Sequence, residues 1–387
     1  MSVEGGLTVE LVRGGDTVIR STRPLGAARV LEGKPVAEAL ALVPLLFSVC
    51  GTAQAWAASR ACVIAGGQRV SPAVEAAREL LVWLETAREH GLRTLLDWAA
   101  FLGEAPVAGA PAALNRLLPR ARQAAFGDGP AFMPDAELKA DKLALEQVVA
   151  ELETLLATQV FGAHPAQWLE AMDNNLALEE WAGAGQTVAA RLVRQVMAAG
   201  WSGLGASKVG LLPPLDDGQL ETRLTAVDAD AFIAAPTLDG ECCETGPLAR
   251  QQHQPLVAAL SAEFGNGLLP RLAARLVELA AIPQRLREIL PRLGHGDSGA
   301  RQAQWSGVGL AQVEASRGRL VHRVEVADGV VRRYQIVAPT EWNFHPRGAV
   351  ARGLATLDSG DEQQRRRQAQ LLINAVDPCV GYELKVR

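Results

Sequence analysis

Alternating segments at the two ends of the chain bracket a long body in which apolar residues keep helical spacing, and that arrangement limits the fold more than any other feature. Leu7, Val9 and Leu11 share one side of an extended run, Gly14-Gly15-Asp16 supplies a turn, and Val18 and Ile19 begin the return, which predicts a hairpin over residues 7–23. Val324, Val326, the turn Asp328-Gly329, Val330 and Val331 repeat the pattern near the other end. Hairpins at both ends with helices between them describe an α+β chain, mainly helical, with a small antiparallel sheet that the two hairpins are expected to share.

The body, residues 36–300, reads as helices. Ser71-Pro72 offers a side-chain cap followed by a proline in the first turn, after which Ala77, Leu80, Leu81, Leu84 and Ala87 recur on one face. Leu145, Val148, Val149, Leu152, Leu155 and Leu156 form a second stripe that ends near Gly162 and Pro165. Gln186–Ala199 and Leu256–Leu293 are further helical stretches, the second expected to break at Gly265–Gly267, at Pro270 and around Pro283. Stretches rich in Gly and Pro at 104–113, 126–134 and 209–218 read as loops.

Charge and cysteine usage exclude several classes of protein. A net charge of -5 and a pI near 5.8 argue against a nucleic-acid partner, which needs a basic face. The triplet Arg365-Arg366-Arg367 is expected on the solvated face of a C-terminal helix running through Gln368, Leu371 and Leu372. The first residues lack a basic and apolar leader pattern, and the apolar run Ala37–Val49 is interrupted by Glu38 and Pro44, so neither secretion nor a membrane span is expected. Five cysteines without regular spacing fit a reducing compartment, read as the bacterial cytoplasm. There is no C-x-x-C, H-E-x-x-H, G-x-S-x-G or P-loop, which leaves zinc, serine-hydrolase and nucleotide chemistry without support.

The most specific segments come last in the chain: V-A-P-T-E-W-N-F-H-P-R-G (Val337–Gly348) and I-N-A-V-D-P-C-V-G-Y-E-L-K-V-R (Ile373–Arg387). The pair resembles the end of a nickel-iron hydrogenase large subunit, where W-N-x-S-P-R-D is followed by D-P-C-x-x-C-x-x-H. Cys379 fills the first cysteine position, Tyr382 stands at the second and Lys385 at the histidine. Tyrosine cannot bridge two metals as a thiolate does, and a protonated lysine has no lone pair to give. Upstream, E-A-S-R-G-R-L-V-H (Glu314–His322) resembles E-A-P-R-G-A-L-G-H, and T-G-P-L-A-R (Thr245–Arg250) resembles V-G-P-L-A-R. At the front, V-E-G-G-L-T-V-E-L (Val3–Leu11) is similar to I-E-G-H-L-R-I-E-V. The segment P-L-L-F-S-V-C-G-T-A-Q-A-W-A-A-S-R-A (Pro44–Ala61) is similar to R-I-C-G-V-C followed by H-A-L-A-S-V-R-A, with Gln54 where the histidine falls. These blocks span the chain in the family's order, which implies a single domain over 1–387 with the hydrogenase large-subunit fold. One cysteine kept from each pair, C-G-x-x-Q at the front and no terminal histidine resemble the HupK/HoxV hydrogenase expression and formation proteins more than a catalytic subunit.

Taken alone, Cys50 ahead of the small-residue run Gly51–Ala58 is a buried apolar cysteine; the resemblance makes it a metal ligand. Just before a helix, its thiol pKa is expected to be lowered by the helix N-terminus. Cys379 is the second expected ligand, after Pro378, which fixes the backbone, and Asp377, a carboxylate able to orient neighbouring donors. The resemblance implies that Cys50 and Cys379 hold a low-spin iron carrying two cyanides and one carbonyl, for which thiolate is a suitable soft donor. Fe(II), two cyanides and two thiolates together carry about two negative charges, whose burial calls for nearby cations, with Arg317 as the candidate. His345 could meet iron or a cyanide, or be an ordinary hydrogen-bonded histidine; Glu4 could relay protons or serve as a polar strand residue. Cys62 reads as packing, and the adjacent pair Cys242-Cys243 as structural. Ala53 and Tyr382 stand where the other thiolates would be, so no nickel is expected.

Catalytic relatives carry a C-terminal extension that a protease removes, whereas this sequence ends two residues past Lys385. The resemblance therefore implies a non-catalytic maturation scaffold, working with the HypC/HypD iron-assembly proteins and the apo large subunit. The alternatives are a metal-free structural relative of the large subunit, or a reduced hydrogenase-like redox enzyme.

Overall fold

The computed structural model describes residues 5–12, 17–23, 25–294, 305–357 and 361–386. Glu4 and the Gly14-Gly15-Asp16 turn lie outside them. Eight of the helices matter most, some in the main core and some at the site: α1 (Val36–Leu46), α2 (Gly51–Ala65), α3 (Pro72–Leu92), α4 (Ala110–Phe126), α5 (Lys142–Leu156), α6 (Val188–Ala198), α7 (Leu268–Ile289) and α8 (Glu362–Val376).

Local chemistry explains where several of these begin and end. The Ser71 hydroxyl accepts from the Ala73 N–H and Pro72 opens α3, the start that the sequence predicts. All six apolar residues of the α5 stripe are buried, and the run ends at Gly162 with φ of 70°, a left-handed stop that glycine supplies without strain. The largest core gathers the inner faces of α3, α4, α5 and α6 around α7. α7 runs unbroken from Leu268, against the expected breaks at Pro270 and Pro283. Pro270 falls in the first turn, where no N–H is needed, and Pro283 lies in a helix buried nearly all round, whose packing outweighs one lost hydrogen bond. Only Gly265–Gly267 separates α7 from the preceding helix, Pro255–Phe264.

The mainly helical α+β class holds, but the two hairpins sit in different sheets. β1 (Leu7–Leu11) pairs antiparallel with β2 (Val18–Ser21) and parallel with β6 (Tyr382–Val386), the strand that follows the D-P-C segment. β3 (Gly307–Ala315), β4 (Gly318–Ala327) and β5 (Val330–Val337) form a separate antiparallel sheet. Within each sheet the central strand is filled on both sides, β1 by β2 and β6 and β4 by β3 and β5, and no pairing joins the two sheets. The β4–β5 turn is the expected Asp328-Gly329, both at positive φ (52° and 75°).

α2 lies directly on this second sheet. A Cβ on Gly309 would come within 1.9 Å of the Ala61 carbonyl oxygen, so the helix and strand can meet only through a glycine. The arginine triplet is not on a solvated face. Arg365 is buried, and Arg366 and Arg367 donate to the Leu384 and Phe101 carbonyl oxygens at 3.1 and 2.8 Å, tying α8 to β6 and to the helical body. Among the described residues, no helix is long and apolar enough to cross a membrane.

Candidate metal centre

Cys50 and Cys379, from opposite ends of the chain, line one cavity of about 60 Å³, room for a few water-sized groups. Cys50 is the residue before α2 and is buried; Cys379 follows the C-terminus of α8 and is half-buried. Asp377, at the end of α8 with φ of 65°, turns the chain so that Pro378 and Cys379 re-enter the protein. Thr340, in the short helix Pro339–Asn343, fixes the second cysteine: its hydroxyl oxygen accepts from the Cys379 N–H at 3.3 Å and lies 2.9 Å from the sulfur.

The expectation that the helix N-terminus lowers the Cys50 pKa is overturned. The thiol is pushed well above its ordinary value, by burial first, then by Cys379 and by the Glu85 carboxylate, with Arg317 and Gln54 only partly offsetting them. Glu85 of α3, its own pKa raised by burial, also takes the helix end itself: it accepts the first N–H groups of α2, from Thr52 at 2.8 Å and Ala53 at 3.0 Å. A carboxylate therefore occupies the positive end of the helix that the thiol was expected to use.

Arg317 and Asp377 stand behind the thiols rather than in the cavity lining. Arg317, in the β3–β4 turn, is buried, and its charge acts on both Cys50 and Cys379. It donates to Glu89 at 3.0 Å and to the Ser316 hydroxyl at 3.3 Å. Its Nε is 3.3 Å from Asp377 Oδ2 without the alignment of a hydrogen bond, so a buried donor faces the carboxylate only as a charge. Burial would lower the Arg317 pKa, but Asp377 and Glu89 outweigh it and hold the guanidinium charged. Asp377 is surrounded by Arg93 Nε at 2.9 Å, Arg317, and Arg275 Nη2 at 3.9 Å; burial alone would raise its pKa, and these cations instead hold it below the ordinary value. Arg275 also donates to the Asn374 and Ala375 carbonyl oxygens, clamping the end of α8 just ahead of the D-P-C segment.

His345 is not brought to the cavity. Its Nδ1 accepts from the Arg347 N–H at 3.0 Å and lies 3.4 Å from Cys242 Sγ, in a small separate cluster, and burial pushes its pKa down. Tyr382 and Lys385 belong to β6 and are absent from the cavity lining. Cys62 is fully buried against α1 and the second sheet, its thiol pushed up to about 12 by burial.

Residues that sequence reasoning left without a role complete the site. Arg23 and Glu341 both line the cavity and form a 2.8 Å ion pair. Gln54 lines it too, donating from Nε2 toward Cys50 Sγ at 3.8 Å, while its Oε1 lies 2.8 Å from His322 Nε2. His322 is neutral, its pKa pushed down to about 3 by burial. The available signals were Gln54 at the family's histidine position, and polar residues on otherwise apolar faces, such as Glu85 and Glu89 in α3. Among the described residues, no group of three or more His, Cys, Asp and Glu is placed to hold a metal ion.

The architecture is that of the nickel-iron hydrogenase large subunit. The structure superposes on the Ni-Fe-Se hydrogenase from D. vulgaris Hildenborough with a TM-score of 0.68 and 19% identity, covering 94% of this chain and 93% of that one. Residues 186–381 match the nickel-dependent hydrogenase family. The chain is 35% identical to the hydrogenase expression/formation protein HoxV of Cupriavidus necator, over 95% of this chain and 92% of that protein. It is 32% identical to HupK of Bradyrhizobium diazoefficiens, over 95% and 91%. The chain belongs to this HoxV/HupK family of large-subunit relatives.

Proposed function

We propose that this protein is a non-catalytic maturation scaffold for nickel-iron hydrogenase, which holds the iron-dicyano-carbonyl fragment as cargo at Cys50 and Cys379 before its transfer to the apo large subunit. The observation that carries the reading is the meeting of these two cysteines at one cavity, with the buried Arg317 charge acting on both sulfurs.

The donor set suits a cargo that brings its own ligands. Two thiolates fill two positions on an iron, and a fragment already carrying two cyanides and a carbonyl needs little more from the protein. Its residual negative charge favours a place beside a guanidinium that Asp377 and Glu89 keep charged despite burial, and Arg317 Nε is a buried donor without a hydrogen-bond acceptor. HypC and HypD are the iron donors that this reading implies, and the absence of a second thiolate pair in the aligned segments speaks against nickel. The names of the relatives, hydrogenase expression/formation proteins, support the maturation role.

The test is infrared spectroscopy of protein purified without oxygen from cells expressing the iron-assembly proteins, comparing wild type with Cys50→Ala and Cys379→Ala. Cyanide and carbonyl stretches are expected in wild type and lost in either variant. No such bands in any sample, with a blank metal analysis, would overturn the scaffold in favour of a metal-free interaction protein.

A further inference from the structure

A continuous chain of buried polar side chains runs away from the Cys50 sulfur into the second sheet. Gln54 Nε2 faces Cys50 Sγ at 3.8 Å, Gln54 Oε1 meets His322 Nε2 at 2.8 Å, and His322 Nδ1 meets the Tyr334 hydroxyl at 2.8 Å. Gln54, His322 and Tyr334 are 2%, 0% and 3% exposed, so water cannot substitute for any member.

Donor and acceptor counting fixes the direction of the chain. The Gln54 carbonyl oxygen can only accept, so His322 Nε2 carries the proton; a neutral imidazole then leaves Nδ1 bare, and Tyr334 must donate to it. Every bond therefore points toward the sulfur: O–H to Nδ1, Nε2–H to Oε1, N–H to Sγ. In the reverse arrangement the amide is flipped, Nδ1–H donates to the tyrosine oxygen, and the buried tyrosine proton loses the acceptor it has here. A buried donor left without an acceptor is costly, which biases the direction.

We propose that His322 and Tyr334 are positioning residues, which act through Gln54 to keep an N–H donor aimed at Cys50 Sγ when that sulfur binds iron. The proposal rests on the reading of Cys50 as an iron ligand, and it gives a physical role to the glutamine that stands where the large-subunit family has histidine. Outer-shell hydrogen bonds of this kind orient ligands and tune the metal they bind. An N–H donor withdraws electron density from a thiolate, and so from its iron and from the diatomic ligands on it.

The deciding variant is Tyr334→Phe, which removes one hydroxyl and keeps the ring. Nitrogen NMR of the imidazoles, with His322 assigned by His322→Asn, is expected to show an Nε2–H tautomer with Nδ1 accepting a hydrogen bond in wild type, and an Nε2–H tautomer whose Nδ1 has lost its donor in Tyr334→Phe. In iron-loaded protein the same variant is expected to keep the cyanide and carbonyl bands but move them to lower wavenumber, as the sulfur becomes a stronger donor. Gln54→Glu, which faces the sulfur with a carboxylate, is expected to lose the bands while retaining the wild-type circular dichroism spectrum. Unchanged bands in Tyr334→Phe, or an Nδ1–H tautomer in wild type, would overturn the proposal. If wild type itself carries no bands, the iron reading fails, and the wild-type tautomer still decides the direction of the chain.

Discussion

Glu278, on α7, is the buried charge whose removal has the most calculable effect. Its carboxylate accepts four hydrogen bonds: Arg250 Nε at 2.7 Å and Gln251 Nε2 at 3.1 Å reach Oε1, while Arg250 Nη2 at 2.7 Å and His90 Nε2 at 2.8 Å reach Oε2. Arg250 in turn donates to the Ala315 and Ser316 carbonyl oxygens, so the same pair braces the turn that carries Arg317. Glu278→Gln keeps the shape, but in either amide orientation the NH₂ group faces two donors. Two charge-assisted hydrogen bonds at about 1.5–3 kcal/mol each set the loss at roughly 3–6 kcal/mol. Glu314, also paired with Arg250 at 3.0 Å, and a tautomer change at His90 soften it toward the lower end, about 3 kcal/mol. With an unfolding entropy of roughly 2.1 cal/mol/K per residue over 387 residues, about 0.8 kcal/mol/K, Tm should fall by about 4 °C. Burial alone would raise the Glu278 pKa, but Arg250 and His90 outweigh it and hold it far below its ordinary value. That stabilisation is fully present above the unfolded value of about 4.3 and is lost as pH falls through the lower folded value. The gap between wild type and Glu278→Gln, measured by thermal and urea unfolding, is therefore constant between about pH 5 and 8 and narrows below about pH 4. A Tm within about 1 °C of wild type at neutral pH, or a gap that widens on acidification, would refute this account of the network.

Packing and exposure yield two more expected outcomes. Gly309→Ala should destabilise at or above the upper end of the about 1–3 kcal/mol typical of overpacking, because its Cβ would meet the Ala61 backbone oxygen, and an unfolding curve that matches wild type would contradict the close approach of α2. Native alkylation with iodoacetamide near pH 8, followed by mass spectrometry, should modify half-buried Cys379 before the four buried cysteines; rapid labelling of Cys62, fully buried with its thiol pushed up to about 12, would contradict its place in the core.

What the sequence revealed and what it hid divide along the range of the interactions involved. The Ser71 cap, the α5 stripe and the Asp328-Gly329 turn are legible because a few adjacent residues determine them, whereas the pairing of Cys50 with Cys379 is suggested only by the family resemblance. Pro283 of α7 misleads because a proline's penalty is local, whereas the burial that overrides it comes from the helices packed around it. The sharing of a sheet by the two hairpins fails because strand pairing is set by the tertiary fold: β6 alternates, with Tyr382, Leu384 and Val386 between Glu383 and Lys385, but nothing in that pattern names β1 as its partner. The Cys50 thiol is misjudged for a related reason. Its helix N-terminus is visible in the sequence, but the carboxylate that takes the free N–H groups comes from Glu85, on another helix.

The Glu85 finding bears on how a scaffold differs from an enzyme built on the same frame. An anionic fragment bound by two thiolates must be held firmly enough to be sheltered and loosely enough to be given up. At Cys50, Arg317 and the Gln54 N–H favour the thiolate, while burial first, then Cys379 and Glu85, oppose it. If transfer depends on that balance, neutralising the opposing side should strengthen retention. Glu85→Gln keeps a carbonyl oxygen for one of the two N–H groups and removes the ionisable carboxyl, so iron-loaded Glu85→Gln should give up its cyanide and carbonyl bands to apo large subunit more slowly than wild type. Transfer at the wild-type rate, with the bands equally intense at the start, would show that the carboxylate serves the helix alone.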